Sequence, residues 1–100
     1  MTKRKKRLRR MRQNPNKVKY NDLISVLLDY GFTIRESKGS HVSVRCEIDG
    51  QVWRETVVKP HGGKKTVNQQ GIKSLLKIID EINAVLEESE AEEDTEDNGN

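Results

Sequence analysis

The two histidines are the side chains best suited to acid–base chemistry in this chain of 100 residues. His41 and His61 are its only imidazoles, and histidine is the side chain whose charge changes close to neutral pH, so it can accept and donate a proton. His41 lies at the start of an alternating apolar run, whereas His61 follows Pro60 and precedes two glycines. A histidine in either place is also commonly structural or solvated. The residue types alone therefore leave catalysis and simple exposure both open.

Other reactive side chains are few. Cys46 is the only cysteine, so neither a disulfide framework nor a Cys/His zinc site can form, and we expect no metal and no cofactor. Ser40 would need an aligned base to act as a nucleophile, and it is better suited to capping a turn or donating to a phosphate. The sequence has no Gly-rich phosphate loop and no Ser/His/Asp signature.

Lysines gather around the two loops that hold the histidines. They are Lys38, Lys59, Lys64 and Lys65. If both loops lie at one end of a sheet, a phosphate backbone could cross several of these positive side chains, whereas any one of them alone would indicate little.

The spacing of apolar residues predicts the elements that position these side chains. The first stripe consists of Leu23, Ile24, Leu27 and Leu28. It predicts a helix over 21–30, with Asn21 as its N-cap and Gly31 at its left-handed end. Strand-forming runs at 32–34, 42–48 and 52–58 follow, and a second apolar stripe predicts a helix over 72–86. We therefore expect an α+β fold in the order α-β-β-β-α, with a three-stranded antiparallel sheet and both helices on one face.

The turn between the second and third strands predicts the register of the hairpin. Asp49-Gly50 is a preferred two-residue turn, which places His41 opposite Val58. The predicted inner face contains Val42, Val44, Cys46, Ile48, Trp53 and Val57, with Glu55 as a misfit that would fit a β-bulge. The predicted outer face contains His41, Ser43, Arg45, Arg54 and Thr56.

Arg45 directly opposite Arg54 has two interpretations. The two guanidinium groups can share a phosphate, or they can splay into water with one of them meeting Glu47. Trp53 could stack on a base, but its register favours the core, as does that of Cys46.

Charge divides the chain into three segments. Residues 1–12 contain eight basic side chains and no acid, and residues 87–97 contain eight acids and no base, while the whole chain has a formal charge of +3. Blocks of like charge without apolar residues are usually tails. We expect a disordered basic arm (1–16), one domain (17–86) and a disordered acidic tail (87–100). No apolar run approaches the length of a membrane span or a secretory signal, so we expect a cytoplasmic protein without a membrane partner.

Residues 20–82 resemble the HicA (YcfA-like) family of small bacterial toxins. The resemblance depends on the helix 21–28 followed by Tyr30-Gly31-Phe32, on the segment Ser37-Lys38-Gly39-Ser40-His41, on Val57-Val58-Lys59-Pro60-His61 and on Ile72-Lys73-Ser74-Leu75-Leu76-Lys77. Neither charged end belongs to the family pattern.

The resemblance implies a fold similar to the double-stranded RNA-binding domain and a function as a messenger RNA interferase, inhibited by a HicB-like antitoxin. It also implies that His41 is the catalytic residue. We hypothesise metal-independent attack of a ribose 2′-oxygen on the adjacent phosphate, with His61 as a possible second acid or base. The expected RNA-binding residues are Lys38, Ser40, Arg45, Arg54, Lys59, Lys64 and Lys65.

Two other functions stay open. A noncatalytic RNA-binding module would keep the fold and the basic loops, and the basic arm would supply much of its affinity. An adaptor would use the acidic tail to contact a basic partner, with the domain as a scaffold.

Overall fold

The computed structural model describes residues 3–37 and 39–98, with side chains through Glu88. Its elements are helix α1 (Lys3–Gln13), a 3-10 turn (Pro15–Lys17), helix α2 (Tyr20–Asp29), strand β1 (Thr33–Glu36), strand β2 (His41–Ile48), strand β3 (Gln51–Val58) and helix α3 (Gln69–Asn98). The strands form an antiparallel sheet in the order β1-β2-β3. The predicted order α-β-β-β-α is confirmed by α2, the sheet and α3.

Helix α2 begins one residue earlier than predicted. The residue that precedes it, Lys19, has an extended backbone and makes no side-chain capping hydrogen bond, so the predicted cap at Asn21 is wrong. Gly31 follows the helix with a φ of 88°, a left-handed conformation that glycine adopts without steric cost, as predicted.

The apolar stripe of α2 is rotated relative to its prediction. Leu23, Val26 and Leu27 are fully buried, whereas Leu28 is 57% exposed. Val26 and Leu23 are three residues apart and lie on the same side of the helix, which turns Leu28 outward. Leu28, although part of the predicted stripe, therefore lies outside the core.

The hairpin of β2 and β3 has the predicted turn and register. Asp49 and Gly50 have φ values of 51° and 83°, the left-handed pair that matches the twist of a two-residue hairpin. Eight residue pairs follow without interruption and end with His41 opposite Val58. The ladder therefore contains no bulge at Glu55, which is half-buried on the inner face.

The inner face of the sheet packs against α2 and α3. Its buried residues are Val42, Val44, Cys46, Trp53 and Val57, and those of α3 are Ile72, Leu75, Ile79 and Ile82. The indole Nε1 of Trp53 donates a hydrogen bond to Glu81 Oε2 at 3.0 Å. Trp53 therefore belongs to the core, as predicted, and is not available to stack on a base.

The basic N-terminal segment folds as a helix where the sequence predicts a disordered arm. Leu8 and Met11 of α1 are 8% and 2% exposed and belong to the main core. They lie on one side of the helix at a spacing of three residues, and lysine and arginine are good helix formers. Arg12 also forms an ion pair with Asp80 of α3. Burial of two apolar side chains thus offsets the repulsion among the basic ones.

Helix α3 is longer than predicted. Its backbone continues to Asn98, through the acidic segment that was expected to be a disordered tail. Extending an existing helix adds a hydrogen bond for each residue fixed, and glutamate and alanine favour the helical conformation. The last two positions of the predicted tail, 99 and 100, lie outside the described residues.

Candidate functional site

The backbone of His41 is held at the start of β2 by the preceding loop. Ser37 donates two hydrogen bonds to the carbonyl oxygen of His41, from its backbone N–H at 3.4 Å and from its hydroxyl at 3.1 Å. On the other side, the backbone N–H of Lys59 donates to the carbonyl oxygen of Ser40 at 2.7 Å. Gly39 has a φ of 89°, which lets the chain turn between them. Lys38, a predicted RNA-binding residue in this loop, lies outside the described residues.

The His41 side chain is exposed on the outer face of the sheet. Its neighbour across the ladder is Val58, which is 43% exposed. Within residues 3–37 and 39–88, no side chain hydrogen-bonds to the His41 ring. The imidazole is therefore accessible to a ligand, and none of the described side chains fixes the orientation of its ring by a hydrogen bond.

Two rows of polar side chains follow His41 along the outer face. The first row is Arg35, Ser43 and Thr56, and the second row is Thr33, Arg45 and Arg54. All six are exposed, and they line an open depression of about 630 Å³. Guanidinium and hydroxyl groups on one surface can donate several hydrogen bonds to phosphate oxygens.

The predicted juxtaposition of Arg45 and Arg54 is confirmed, and Arg45 has a partner. Its guanidinium pairs with the Glu47 carboxylate at 3.1 Å, as one of the two interpretations expected. Both side chains of this pair are about half exposed, so solvent weakens the pair and a phosphate can compete for the guanidinium. Arg35 was not predicted as part of this surface, because the loop before β2 does not define the register of β1.

Lys59 is held by a small network at one end of the sheet, where β1 and β3 both terminate. Its ammonium lies 2.8 Å from a Glu36 carboxylate oxygen and 5.7 Å from the centre of the Tyr20 ring. The Tyr20 hydroxyl donates a longer hydrogen bond to the same carboxylate at 3.4 Å. The hydrogen bond from Lys59 lowers the pKa of Glu36, and the same contact raises the pKa of Lys59. Glu36 therefore competes with a phosphate for the ammonium of Lys59.

Lys64 and Lys65 lie near the same end of the sheet, and their side chains are exposed. Together with Lys19 and Tyr20 they line a groove of about 400 Å³. A hydrogen bond joins the loop that contains them to the segment before α2: the backbone N–H of Val67 donates to the carbonyl oxygen of Val18 at 2.8 Å. These predicted RNA-binding lysines therefore surround one groove with Lys19, which the sequence analysis did not single out.

His61 lies on the exposed loop after β3. Its carbonyl oxygen accepts a hydrogen bond from the backbone N–H of Lys64 at 3.2 Å. His61 and Val58 line one shallow groove, and Val58 is the ladder partner of His41, so both imidazoles lie at the same end of the sheet. Within the described residues no hydrogen bond joins the two rings. An acid–base pair of histidines remains a prediction.

Two other candidate nucleophiles have environments that do not activate them. Cys46 is buried, its Sγ lies 3.7 Å from the carbonyl oxygen of Tyr30, and burial raises the pKa of its thiol. A raised pKa keeps the sulfur protonated and unreactive. Ser40 is half-buried, and in the described part of the chain no base accepts a hydrogen bond from its hydroxyl. No cluster of three His, Cys, Asp or Glu side chains with the spacing of a metal site occurs among the described residues.

Comparisons with known proteins found no relative. No protein-family model, no curated protein and no solved structure matches this chain. Within residues 3–37 and 39–98, no helix is both long and apolar enough to cross a membrane.

Proposed function

We propose that this protein is an endoribonuclease toxin of a type II toxin–antitoxin system that cleaves messenger RNA without a metal ion. The observation that carries the proposal is the position of His41. Its carbonyl oxygen accepts hydrogen bonds from Ser37, its ring is exposed on the sheet face that carries Arg45 and Arg54, and the preceding Ser40 is hydrogen-bonded to Lys59. A proton-transfer group beside positively charged side chains is the arrangement that cleavage of an RNA backbone needs.

The chemistry requires one proton to leave and one to arrive. The ribose 2′-oxygen attacks the adjacent phosphorus while its proton passes to the neutral His41 ring. The bond between phosphorus and the 5′-oxygen breaks, and that oxygen takes a proton from a protonated His61 or from water. The products are a 2′,3′-cyclic phosphate and a 5′-hydroxyl. Lys64 and Lys65 stabilise the charge that builds on the phosphoryl oxygens.

The substrate contacts divide into two groups. Arg45 and Arg54 on the sheet face, with Ser40 and Lys59 beside the loop, hold phosphates on either side of the reacting ribose. These contacts go to phosphates and therefore position the RNA without reading its bases. A cytoplasmic location follows from the proposed substrate, and a HicB-like antitoxin is the proposed inhibitor.

The test compares the parent protein with His41→Ala on end-labelled messenger RNA in EDTA. We expect the parent to cleave and His41→Ala to lose at least about a hundredfold in rate, because general acid–base catalysis contributes about 10²- to 10⁴-fold. Circular dichroism checks that the variant is folded, and RNA binding is measured in parallel. Equal cleavage by both folded proteins would overturn the assignment of His41.

A noncatalytic RNA-binding module is the second candidate. It is favoured by one observation, that within the described residues no side chain orients the His41 ring. In that case neither protein cleaves, and His41→Ala binds RNA as the parent does, with a steep dependence on salt.

A further inference from the structure

Helix α1 presents a basic surface to solvent because its only buried side chains face inward. Leu8 and Met11 lie in the core. At 100° per residue, Lys6 and Arg10 fall on the opposite side of the helix, with Lys3 one turn further toward the N-terminus. These three side chains are exposed and form a stripe with the spacing i, i+3, i+7.

Six of the eight basic residues of α1 separate into an inner and an outer set. Arg4, Arg7 and Arg12 flank the buried side and contact α2 or α3: Arg4 lies over the Tyr30 ring, Arg7 pairs with Asp29, and Arg12 pairs with Asp80. For Lys3, Lys6 and Arg10 of the outer stripe, the described residues provide no ion pair. The inner set thus attaches α1 to α2 and α3, and the positive charges of the outer stripe remain available to a ligand.

The stripe continues toward the lysine-lined groove. Arg10 and Lys17 line a common depression beside the start of α2, together with one acid, Asp22. Two residues further along the chain, Lys19 lines the groove that contains Lys64 and Lys65. Two residues span at most about 7 Å, so the two depressions adjoin each other.

We infer that α1 is a second RNA-binding element, which holds the phosphates of an RNA strand that passes from the groove at Lys19 along the stripe of Lys3, Lys6 and Arg10. This inference rests on the proposed function for the identity of the ligand as RNA. The stripe is about 10 Å long at 1.5 Å per residue, so its side chains can contact more than one phosphate of the same strand.

The polarity of α1 favours RNA over an anionic membrane. An amphipathic helix binds a membrane by burying apolar side chains among the lipids. Here the two large apolar side chains, Leu8 and Met11, are already buried in the protein core, and the outward side is basic. A phosphate backbone needs only the charges.

The test is a matched pair of double variants in the full chain, made in the His41→Ala background so that the RNA stays intact. Lys6→Gln with Arg10→Gln removes two charges from the stripe. The control, Lys73→Gln with Lys77→Gln, removes two charges from exposed positions of α3 with the same spacing of four residues. Glutamine has a helix propensity close to that of lysine and arginine, so both variants keep their helices.

We expect the α1 variant to bind a single-stranded RNA of 20 nucleotides about tenfold more weakly at 0.15 M salt, because each lost phosphate contact removes about 0.7 from the slope of log K against log salt. The control should stay within about twofold of its parent, a smaller change than the loss of one phosphate contact. Equal affinities for the two double variants would overturn the inference. Binding of the parent to phosphatidylglycerol vesicles that only the α1 variant loses, with RNA affinity unchanged, would also overturn it and assign the helix to a membrane.

The same variants separate this inference from the proposed nuclease. Cleavage by the parent and RNA binding by the variants are measured side by side. If the parent cleaves no RNA but the α1 variant still loses affinity, the nuclease proposal fails and the second binding element stands. If the parent cleaves and the α1 variant binds like the control, only the second binding element fails.

Discussion

Among the predicted RNA-binding side chains, Lys59 is the one whose contacts within the protein most affect its expected binding of phosphate. Its ion pair with Glu36 and its contact with the Tyr20 ring hold the ammonium at one end of the sheet. Glu36 was not predicted to be relevant, because it is in register with Val42 on the inner side and only its position at the end of β1 lets it reach Lys59. A phosphate that approaches Lys59 therefore competes with a carboxylate.

Glu36→Gln should therefore tighten RNA binding. The substitution keeps a polar side chain of similar size but removes the negative charge that competes with phosphate for Lys59. One added phosphate contact corresponds to about threefold in affinity near physiological salt. Fluorescence anisotropy with labelled RNA measures the change, and Glu87→Gln, which removes an exposed acid of α3, is the matched control. Weaker binding by Glu36→Gln than by this control would show that the ion pair positions Lys59 for RNA.

The same pair makes a contribution to stability that depends on pH. Lys59 lowers the pKa of Glu36, so this contribution is present above the ordinary glutamate pKa and is lost as the pH falls through the lowered value. Glu36 raises the pKa of Lys59, so the contribution is complete below the ordinary lysine pKa and is lost as the pH rises through the raised value.

The parent should therefore be more stable than Glu36→Gln in neutral solution, by a small margin because the pair is exposed. This margin should disappear in acid once Glu36 is protonated. Thermal unfolding of both proteins from pH 3 to pH 8 measures it. A margin that stays constant over this range would mean that the stability difference has another origin.

At the scale of elements, the hairpin could be predicted residue by residue and helix α1 could not. Asp49-Gly50 specifies a two-residue turn, and the alternation of apolar residues on both sides confirms a single register, so the pairs from the turn to His41 follow. The loop 37–40 has no such rule, and the position of Arg35 beside Ser43 therefore became known only from the structure.

Helix α1 was not predicted, because its many basic side chains indicated a disordered tail more strongly than its two apolar residues indicated a helix. Eight basic side chains in residues 1–12 predict a tail, and only Leu8 and Met11 offer an apolar side. Their spacing of three residues was the signal available in the sequence. It has meaning only when a surface on α2 and α3 is there to receive both side chains, and that surface is a tertiary property.

Met11→Ala tests whether α1 belongs to the folded domain. Met11 is 2% exposed, and truncating a buried methionine to alanine costs about 2 to 5 kcal/mol, so a loss of about 2 kcal/mol in the free energy of unfolding is expected. Denaturation in urea measures it. Leu28→Ala, which truncates a side chain that is 57% exposed, should change stability by less than about 0.5 kcal/mol. An unchanged free energy for Met11→Ala would return the segment to the predicted disordered arm.

At the scale of the whole molecule, the basic groups lie on two sides of the protein. The groove at Lys19 and the depression at Arg10 adjoin each other near the start of α2, whereas the arginines of the sheet lie on the face that points away from α2 and α3, with His41 at the end of the sheet where Lys59 follows β3. A mildly basic chain with clustered lysines attracts phosphate, and for this reason the composition favours a nucleic-acid ligand. The relative positions of the basic groups could not be predicted, because they depend on how three separate segments of the chain are brought together.

In the proposed reaction, His41 cleaves RNA by transferring a proton to or from the ribose and phosphate oxygens. Mass spectrometry of the RNA fragments made in EDTA tests it most directly, because the proposed reaction leaves a 2′,3′-cyclic phosphate on one fragment and a 5′-hydroxyl on the other. We predict these ends for the parent and their absence for folded His41→Ala. Fragments with 5′-phosphate ends, or the same cyclic phosphates from His41→Ala, would contradict the account.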